Sequence, residues 1–149
     1  SLFKTLKKHN INTALDTSGV FKITPKIEEL LSYTDLVLLD IKHIDNEKSI
    51  KLTGVPNINT LNFAKYLSDK NIPVWIRQVL IPTLTDDEKD LLKLKDFINS
   101  LNNVEKVELL AYHNLGKYKW EKLGLKYQLE GYREPETKEV QDFYNYLVN

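Results

Sequence analysis

The chain has 149 residues, and its 21 basic and 21 acidic side chains leave no net charge, so nothing in the composition indicates nucleic acid or another polyanion as a partner. Hydrophobic residues make up 42% and charged residues 28%, which is typical of a soluble globular domain, and we expect one domain over residues 1–149. Cysteine is absent, which excludes disulfides, thiol nucleophiles and cysteine-ligated metals within this chain, and three histidines argue against a protein-only zinc site.

The first half of the chain alternates helical and β-rich patterns. Thr24 is a suitable N-cap and Pro25 a suitable first residue for a short helix. Gly54 indicates a turn between two later helices. The predicted elements are the end of a helix at 1–8, a strand at 10–16, a helix at 25–32, a strand at 35–42, and helices near 47–52 and at 60–70.

The second half continues the alternation. A strand is predicted at 73–81, followed by a helix that Thr85 caps and that runs to about residue 100, with acidic residues favourable in its first turn. A strand is predicted at 104–111, then a loop to about residue 133, and Pro135 is expected to open a last helix. The apolar runs are too short to span a bilayer, and no secretory signal opens the chain, so a cytoplasmic location without membrane contact is expected.

Alternation of this kind predicts βαβ units, and therefore an α/β fold with four parallel strands flanked by helices. Within residues 35–42, Val37, Leu39 and Ile41 share one wholly apolar face that suits helix packing. Asp40 and Lys42 lie on the opposite face, which a flat sheet covered on both sides would not readily bury. The pattern therefore favours a sheet that curls like a barrel.

Polar residues stand at the end of each predicted strand: Asp16, Asp40 with Lys42, Arg77, and His113. Reactive groups of barrel-like α/β folds gather at the carboxyl ends of parallel strands, and buried charges are costly unless they are paired or used. The arrangement predicts a site of mixed charge that accommodates an anion. Spacing alone specifies no reaction.

Each of these residues also has a purely structural interpretation. Asp16 before Thr-Ser-Gly could cap a turn, and Asp40 with Lys42 could form a structural ion pair. Arg77 could extend its guanidinium to the surface, and His113 could be an ordinary loop histidine. Two tryptophans, at positions 75 and 120, are interpreted as packing residues.

An ordered set of motifs identifies a family resemblance that covers nearly the whole chain. The set is Asp16-Thr17-Ser18-Gly19, the run from Thr34 through Asp40-Ile41-Lys42, Val74-Trp75-Ile76-Arg77-Gln78-Val79, the strand at 104–110, and Tyr112-His113 leading to Lys117-Tyr118-Lys119-Trp120. Together they resemble the pyruvate formate-lyase activating enzymes, within the glycyl-radical activase group of radical S-adenosylmethionine proteins.

The resemblance implies a partial, TIM-like (β/α)6 barrel to which this chain contributes the last four βα units. It implies an oxidoreductase in which a [4Fe–4S] cluster is reduced by a flavodoxin-type or similar reductant and then cleaves S-adenosylmethionine. The resulting 5′-deoxyadenosyl radical takes a hydrogen atom from a glycine of the partner, pyruvate formate-lyase or another glycyl-radical enzyme. Cofactors carry such chemistry, and the protein positions and shields them.

Site residues are carried over by position. The resemblance implies that Lys42, Arg77, Val79 and His113 line the S-adenosylmethionine site. It also implies a monovalent cation held by Asp16, Thr17, Asp40 and the backbone carbonyl of Leu38.

The chain departs from the family in lacking the CxxxCxxC and Gly-Gly-Glu motifs, since Ser1 begins where the latter region should end. No cluster is therefore expected on this chain. We expect an incomplete barrel that is inactive alone, with only weak affinity for S-adenosylmethionine. Ala111, where the family pattern has proline, puts only loop geometry in question.

Two alternatives stay open. The chain could be a noncatalytic module that docks a glycyl-radical protein through residues 112–120, or an unrelated barrel enzyme that uses Lys42 as a Schiff-base nucleophile. The nearby Asp40 should favour the charged form of Lys42, which argues against the latter.

The strand at 10–16 is expected to leave an unpaired edge, because the strand preceding it in the family is absent. An open interior lined by Leu36, Leu38, Val79 and Leu109 should lie beside it. Unprotected edges and apolar concavities promote association, so we expect self-association or marginal stability, which light scattering and thermal unfolding would detect.

Overall fold

Four parallel strands form a single sheet in the order β1-β2-β3-β4, so each strand pairs with its neighbour in sequence. The structure is a computed structural model that describes residues 2–148. The strands are β1 Ala14–Thr17, β2 Leu36–Asp40, β3 Val74–Leu80 and β4 Val104–Ala111. The predicted α/β fold with four parallel strands is confirmed; the place of these strands as the last four units of a partial (β/α)6 barrel stays a prediction.

Seven helices connect and flank these strands within the described residues. The short α1 precedes β1, and α7 packs against both α5 and β4 through the buried side chains of Phe143 and Leu147. The helices are α1 Leu2–Lys8, α2 Pro25–Leu31, α3 Asn46–Thr53, α4 Ile58–Asp69, α5 Glu88–Asn99, α6 Lys117–Lys122 and α7 Thr137–Val148.

One face of the sheet carries the core. Val37, Leu39 and Ile41 are fully buried, as the alternation in their strand predicts. Val74 and Ile76 continue the buried row on β3, and the helices α4 and α5 cover it with further apolar side chains. The other face carries the charged residues and stays partly open. The sheet is therefore one-sided, which leaves its second face free to build a site.

The open face differs from expectation at one position on β4. Register pairs Gln78 with Leu109 and Val79 with Leu110, so Leu110 shares the open face with Val79, whereas Leu109 packs against the core. An irregularity in the β3–β4 register near Val74 inserts one extra residue, which reverses the facing of every later residue in β4 relative to an uninterrupted ladder. The expectation that Leu109 points into the interior was wrong.

Three other expectations about local structure were also wrong. The N-cap of α5 is Asp87, whose carboxylate accepts from the backbone N–H of Lys89 and of Asp90. Thr85 instead lies buried, accepting from Ile81 N at 2.8 Å and donating to the Val79 carbonyl at 2.9 Å. The predicted loop before residue 133 contains the short helix α6, and α7 begins at Thr137 rather than at Pro135.

The cap assignment yields a stability prediction. Asp87→Ala should lower the free energy of unfolding by about 1 kcal/mol, because two amide protons at the start of α5 lose their acceptor. Chemical denaturation measures this change. The matched control is Asp86→Ala, which removes a neighbouring carboxylate that does not cap the helix; equal losses in the two variants would contradict the assignment.

The β1 edge is shorter than predicted. β1 begins at Ala14, and Thr13 is tied to Asp35, whose carboxylate accepts from the Thr13 backbone N–H at 2.8 Å. The residues before it therefore do not extend the regular edge, and only four residues present one. Self-association through this edge stays a prediction.

None of the helices in the described part of the chain combines the length and apolar character needed to cross a membrane.

Candidate functional site

The carboxyl ends of β1 and β2 and the middle of β3 bring opposite charges together. Asp16 lies near the end of β1, and Asp40 is the last residue of β2. Asp40 lies directly beside Arg77 of β3 in the parallel register. Because parallel strands end at the same edge, side chains on one face of this edge converge.

Arg77 bridges the two carboxylates. Its Nε donates to Asp40 Oδ1 at 2.6 Å, and its Nη2 donates to Asp16 Oδ1. The second oxygen of Asp40 accepts from Lys42 Nζ at 2.8 Å. We call these four residues the Arg77 cluster. Its two positive and two negative charges balance, so the cluster is neutral as it stands.

Burial differs sharply across the Arg77 cluster. The side chains of Arg77 and Asp40 are only 15% and 18% exposed, whereas that of Asp16 is 61% exposed. Burial opposes the charge on Arg77, but hydrogen bonds to Asp16 and Asp40 prevail and raise the pKa of the guanidinium above its ordinary value. The permanent cation is therefore in the sheltered part of the cluster, and Asp16 is its solvent-facing partner.

The structure decides among the structural interpretations of these residues. Arg77 does not extend to the surface, and the Asp40–Lys42 ion pair is present. The turn after β1 is capped by Thr17, whose Oγ1 accepts from the Gly19 backbone N–H at 3.1 Å, while Asp16 bonds to Arg77. Thr17, and not Asp16, therefore caps this turn.

His113 and Val79 lie outside the hydrogen-bonded cluster. His113 follows β4 at the same end of the sheet, but it is exposed and makes no hydrogen bond or ion pair to the Arg77 cluster within residues 2–148. Val79 follows Arg77 by two residues on the same strand face. Their assignment to a cofactor site stays a prediction.

The oxygen donors predicted to bind a cation are chemically suitable, but the structure commits them elsewhere. Hard oxygen ligands fit a monovalent cation; one oxygen of Asp16 and both oxygens of Asp40 are bonded to Arg77 and Lys42. Thr17 Oγ1 likewise accepts from Gly19. A cation that used Asp16 and Asp40 together would have to compete with Arg77. Among the described residues, no cluster of three or more His, Asp or Glu side chains is arranged for metal binding.

Sequence reasoning missed the charged residues on the open face of β4. Lys106 Nζ lies 4.5 Å from the ring centroid of Trp75 and 2.8 Å from Glu108 Oε1. Lys106 and Glu108 pair in register with Trp75 and Arg77, respectively. The alternating charges of Lys106 and Glu108, two apart in one strand, were the available signal. Lys106 and Trp75 form a cation–π contact on the sheet face of Arg77, two residues before Arg77 along β3.

A second buried polar group connects the loop after β2 to helix α5. His43 is 2% exposed and Asp90 5% exposed. The Asp45 backbone N–H donates to His43 Nδ1 at 3.0 Å, and Asp90 accepts from Lys48 and, at 3.1 Å, from Lys93. His43 Nδ1 must be unprotonated to accept. Burial is the largest influence on His43 and lowers its pKa, against the opposing effect of Asp90.

This arrangement yields a pH prediction. A histidine whose pKa is lower in the folded protein than in the unfolded chain contributes its full stability above the unfolded value of about 6.5, and loses it as the pH falls through the folded pKa. The free energy of unfolding should therefore decrease as the pH falls below about 6.5 towards the lower pKa of the folded protein. His43→Gln should flatten that slope, whatever its effect at neutral pH.

Urea denaturation at a series of pH values measures the slope. His9→Gln is the matched control, because His9 is exposed. Asp35, Asp45 and Asp90 have pKa values below their ordinary range, so their contributions are lost only in stronger acid. An unchanged slope in His43→Gln would show that His43 does not cause the decrease.

Comparison with known proteins identifies similar chains. The chain is 54% identical to the pyruvate formate-lyase-activating enzyme of Staphylococcus epidermidis, over 98% of this chain and 60% of that protein. It is 52% identical to the enzyme of the same name from Staphylococcus aureus strain USA300, with the same coverage. No family model matches the chain.

Solved structures share the fold. A domain of a pyruvate-formate lyase-activating enzyme from Bacteroides vulgatus superposes with a TM-score of 0.80 at 23% identity, over 99% of this chain and 81% of that one. A radical SAM methyltransferase from Sphaerobacter thermophilus superposes with a TM-score of 0.62 at 15% identity, over 93% of this chain and 39% of that one.

The resemblance predicted from the sequence is confirmed by the identities above 50%. The chain spans about 60% of the length of the curated relatives it matches.

Proposed function

We propose that this chain is the part of a pyruvate formate-lyase activating enzyme that binds S-adenosylmethionine through its Arg77 cluster. The identity above 50% to proteins of that name supports the family assignment. The observation that carries the binding role is a guanidinium, 15% exposed, that is bonded to carboxylates near the carboxyl ends of β1 and β2. Both the reaction and a cytoplasmic location belong to this proposal.

The chain's own residues have distinct tasks in this proposal. Arg77 and Lys42 offer donors to a carboxylate or to ribose oxygens, and Arg77 supplies a planar, permanently charged group. Asp40 positions both cations by accepting from each of them. Asp16, the exposed partner, is the carboxylate that a ligand can most readily displace from Arg77. Val79, on β3, and His113, just after β4, would contact the adenosyl portion.

The iron–sulfur cluster does not fit this chain, because no cysteine is present to ligate it. S-adenosylmethionine, when bound in a complete enzyme of this type, supplies the radical that removes a hydrogen atom from a glycine of the partner protein. What residues 2–148 contribute is the binding and orientation of that molecule and a sheet face that shelters it.

A chimera tests the proposal. The matching 60% of the Staphylococcus epidermidis relative would be replaced by this chain. Supplied anaerobically with cluster, reductant, S-adenosylmethionine and pyruvate formate-lyase, the chimera should produce a glycyl-radical signal in electron paramagnetic resonance. This chain alone, given the same components, is the control and should produce none.

A folded chimera that binds S-adenosylmethionine but generates no glycyl radical would contradict the assignment of the partner. A folded chimera that does not bind S-adenosylmethionine would contradict the binding role itself.

A second candidate function, a docking module without chemistry, is favoured by the surface of residues 115–133. Leu115 and Leu123 are each 72% exposed, and Tyr118 is 51% exposed. Five basic and two acidic residues give this stretch a positive charge although the whole chain is neutral. Exposed apolar residues beside unbalanced charge are typical of protein-binding surfaces.

A pull-down separates the two functions. The docking candidate predicts that immobilised pyruvate formate-lyase captures this chain alone, and that Leu123→Asp abolishes the capture. The Schiff-base candidate is disfavoured because Lys42 is ion-paired with Asp40 at 2.8 Å. Borohydride trapping of a carbonyl compound on Lys42 would reinstate it.

A further inference from the structure

A small cavity opens beside the Arg77 cluster and has no part in the proposal above. Its volume is about 150 Å³, and Lys42 belongs to its lining. Five segments of the chain form its walls: the loop after β1, the residues just after β2, helix α3, the loop that leads into α4, and α4 itself. Its apolar surface comes from Val20, Ile41, Val55 and Pro56.

Hydrogen bonds fix the walls of this cavity. Thr60 Oγ1 donates to the Ser18 carbonyl at 2.6 Å, which ties α4 to the loop after β1. Ser49 Oγ donates to the Val55 carbonyl at 3.1 Å, which ties α3 to the next loop. Ser49 and Thr60 are 3% and 4% exposed. These bonds connect the walls of the cavity to one another.

Further hydrogen bonds within the protein leave few free polar groups in the walls of the cavity. Thr53 Oγ1 donates to the Ser49 carbonyl at 2.8 Å, and Asn57 Nδ2 donates to the carbonyls of His43 and Ile44 at 3.1 and 2.6 Å. These side-chain donors are thus already committed within the protein. A ligand gains little from presenting polar groups to these walls, whereas it gains from filling them with apolar atoms.

Lys42 is the one charged residue of the lining. Its ammonium has three protons, and Asp40 accepts one of them at 2.8 Å. The side chain is 40% exposed, so the remaining protons can reach an acceptor on a ligand. The cavity therefore suits a ligand with a short apolar branch and a hydrogen-bond acceptor next to it.

The volume limits the size of that branch. Sites for whole cofactors or drug-sized molecules take about 300–1,000 Å³, whereas an apolar cavity of about 150 Å³ holds a group the size of benzene. The isobutyl group of leucine is of that order. A peptide combines such a side chain with a backbone carbonyl at a fixed separation.

We propose that this cavity is a specificity subsite for a branched apolar side chain of a peptide, whose neighbouring backbone carbonyl accepts from Lys42. The proposal rests on the proposed function in one respect: the peptide is a segment of the protein that brings its glycine to the site. The subsite lies at the same end of the sheet as the Arg77 cluster, and Lys42 contributes to both.

Two small probes test the subsite on the chain itself. N-acetyl-leucinamide and N-acetyl-glycinamide share the acceptor and differ in the side chain. In a titration followed by nuclear magnetic resonance, leucinamide should bind at least about tenfold more tightly, because only it buries an isobutyl group. Its shifts should centre on Ser18, Thr53 and Asn57. Equal affinities, no binding of either probe, or shifts elsewhere would overturn the proposal.

Variants sharpen the test. Val55→Phe should remove the preference for leucinamide by filling the cavity, while Ile58→Phe, which enlarges an exposed apolar residue outside the lining, should leave it unchanged. Lys42→Met should weaken both probes but keep their ratio. A preference that survives Val55→Phe in a folded protein would overturn the proposal.

The chimera distinguishes this inference from the proposed function. Radical formation without a leucinamide preference would overturn the subsite alone. A leucinamide preference in a chimera that binds no S-adenosylmethionine would support the subsite and overturn the proposed function.

Discussion

Arg77→Ala in the chimera is expected to weaken S-adenosylmethionine binding by about 1.5–3 kcal/mol, or roughly 10–150-fold. The variant removes charge-assisted hydrogen bonds from a site that is 15% exposed, where water replaces them poorly. It also leaves Asp40 and Asp16 without their shared cation, so a ligand carboxylate would meet uncompensated negative charge. Isothermal titration calorimetry measures the loss.

Two controls separate binding from folding. Arg77→Lys keeps the charge but loses the two-pronged geometry, so it should recover part of the affinity. Arg133→Ala removes an exposed arginine whose partner is Glu139 on α7, and it should leave binding unchanged. Unchanged affinity in Arg77→Ala, with a lowered melting temperature, would assign Arg77 to structure alone.

Phe63→Ala should lower the free energy of unfolding by about 3–5 kcal/mol. Phe63 of α4 is fully buried, and its ring meets that of Phe21 edge-on, with the centroids 5.0 Å apart. Domains of this size are stable by only about 5–15 kcal/mol, so the variant should approach the limit of folding at body temperature. Denaturation in urea, followed by circular dichroism, measures the change.

The effect should extend to the candidate site. Gly19, whose φ is +63°, lies against Phe63 and Leu39 so closely that an added Cβ would be 3.0 Å from each side chain. The loop after Asp16 therefore rests on the Phe63 ring. Phe63→Leu should cost less than Phe63→Ala, and Tyr118→Ala, at an exposed aromatic residue, should change stability by less than about 0.5 kcal/mol. If Phe63→Ala lowers the free energy of unfolding by less than about 1.5 kcal/mol, the core has collapsed into the space that the ring leaves.

The sequence predicted the parts of the fold that depend on periodicity. The alternation in β2 identified its buried face, and Thr24 with Pro25 located the start of α2, where Thr24 accepts from the Ile27 backbone N–H. Such signals are local, so one segment suffices to interpret them. Thr85 was predicted to cap α5, whereas Asp87, two residues later, caps it, because the sequence does not show that Thr85 is buried.

The sequence predicted which residues belong to the candidate site better than it predicted the contacts between them. Strand ends indicated Asp16, Asp40, Lys42 and Arg77, but not that Arg77 would reach past β2 to Asp16. The facing of Leu109 depended on one extra residue in the register with β3. The contact between His43 and Asp90 joins residues that are far apart in sequence. These features are set by tertiary geometry, which periodicity does not encode.

The pairing of every strand with its neighbour in sequence has a consequence for how the chain is made. Each new strand that leaves the ribosome finds its only required partner already synthesised, so β2 can add to β1, then β3 to β2, without waiting for a distant segment. Loop closure at each step involves only the intervening helical stretch, which keeps its entropic cost low. Growth can therefore be stepwise: Lys42 can pair with Asp40 as soon as β2 is complete, and Arg77, arriving with β3, is the residue that joins the carboxylates of β1 and β2.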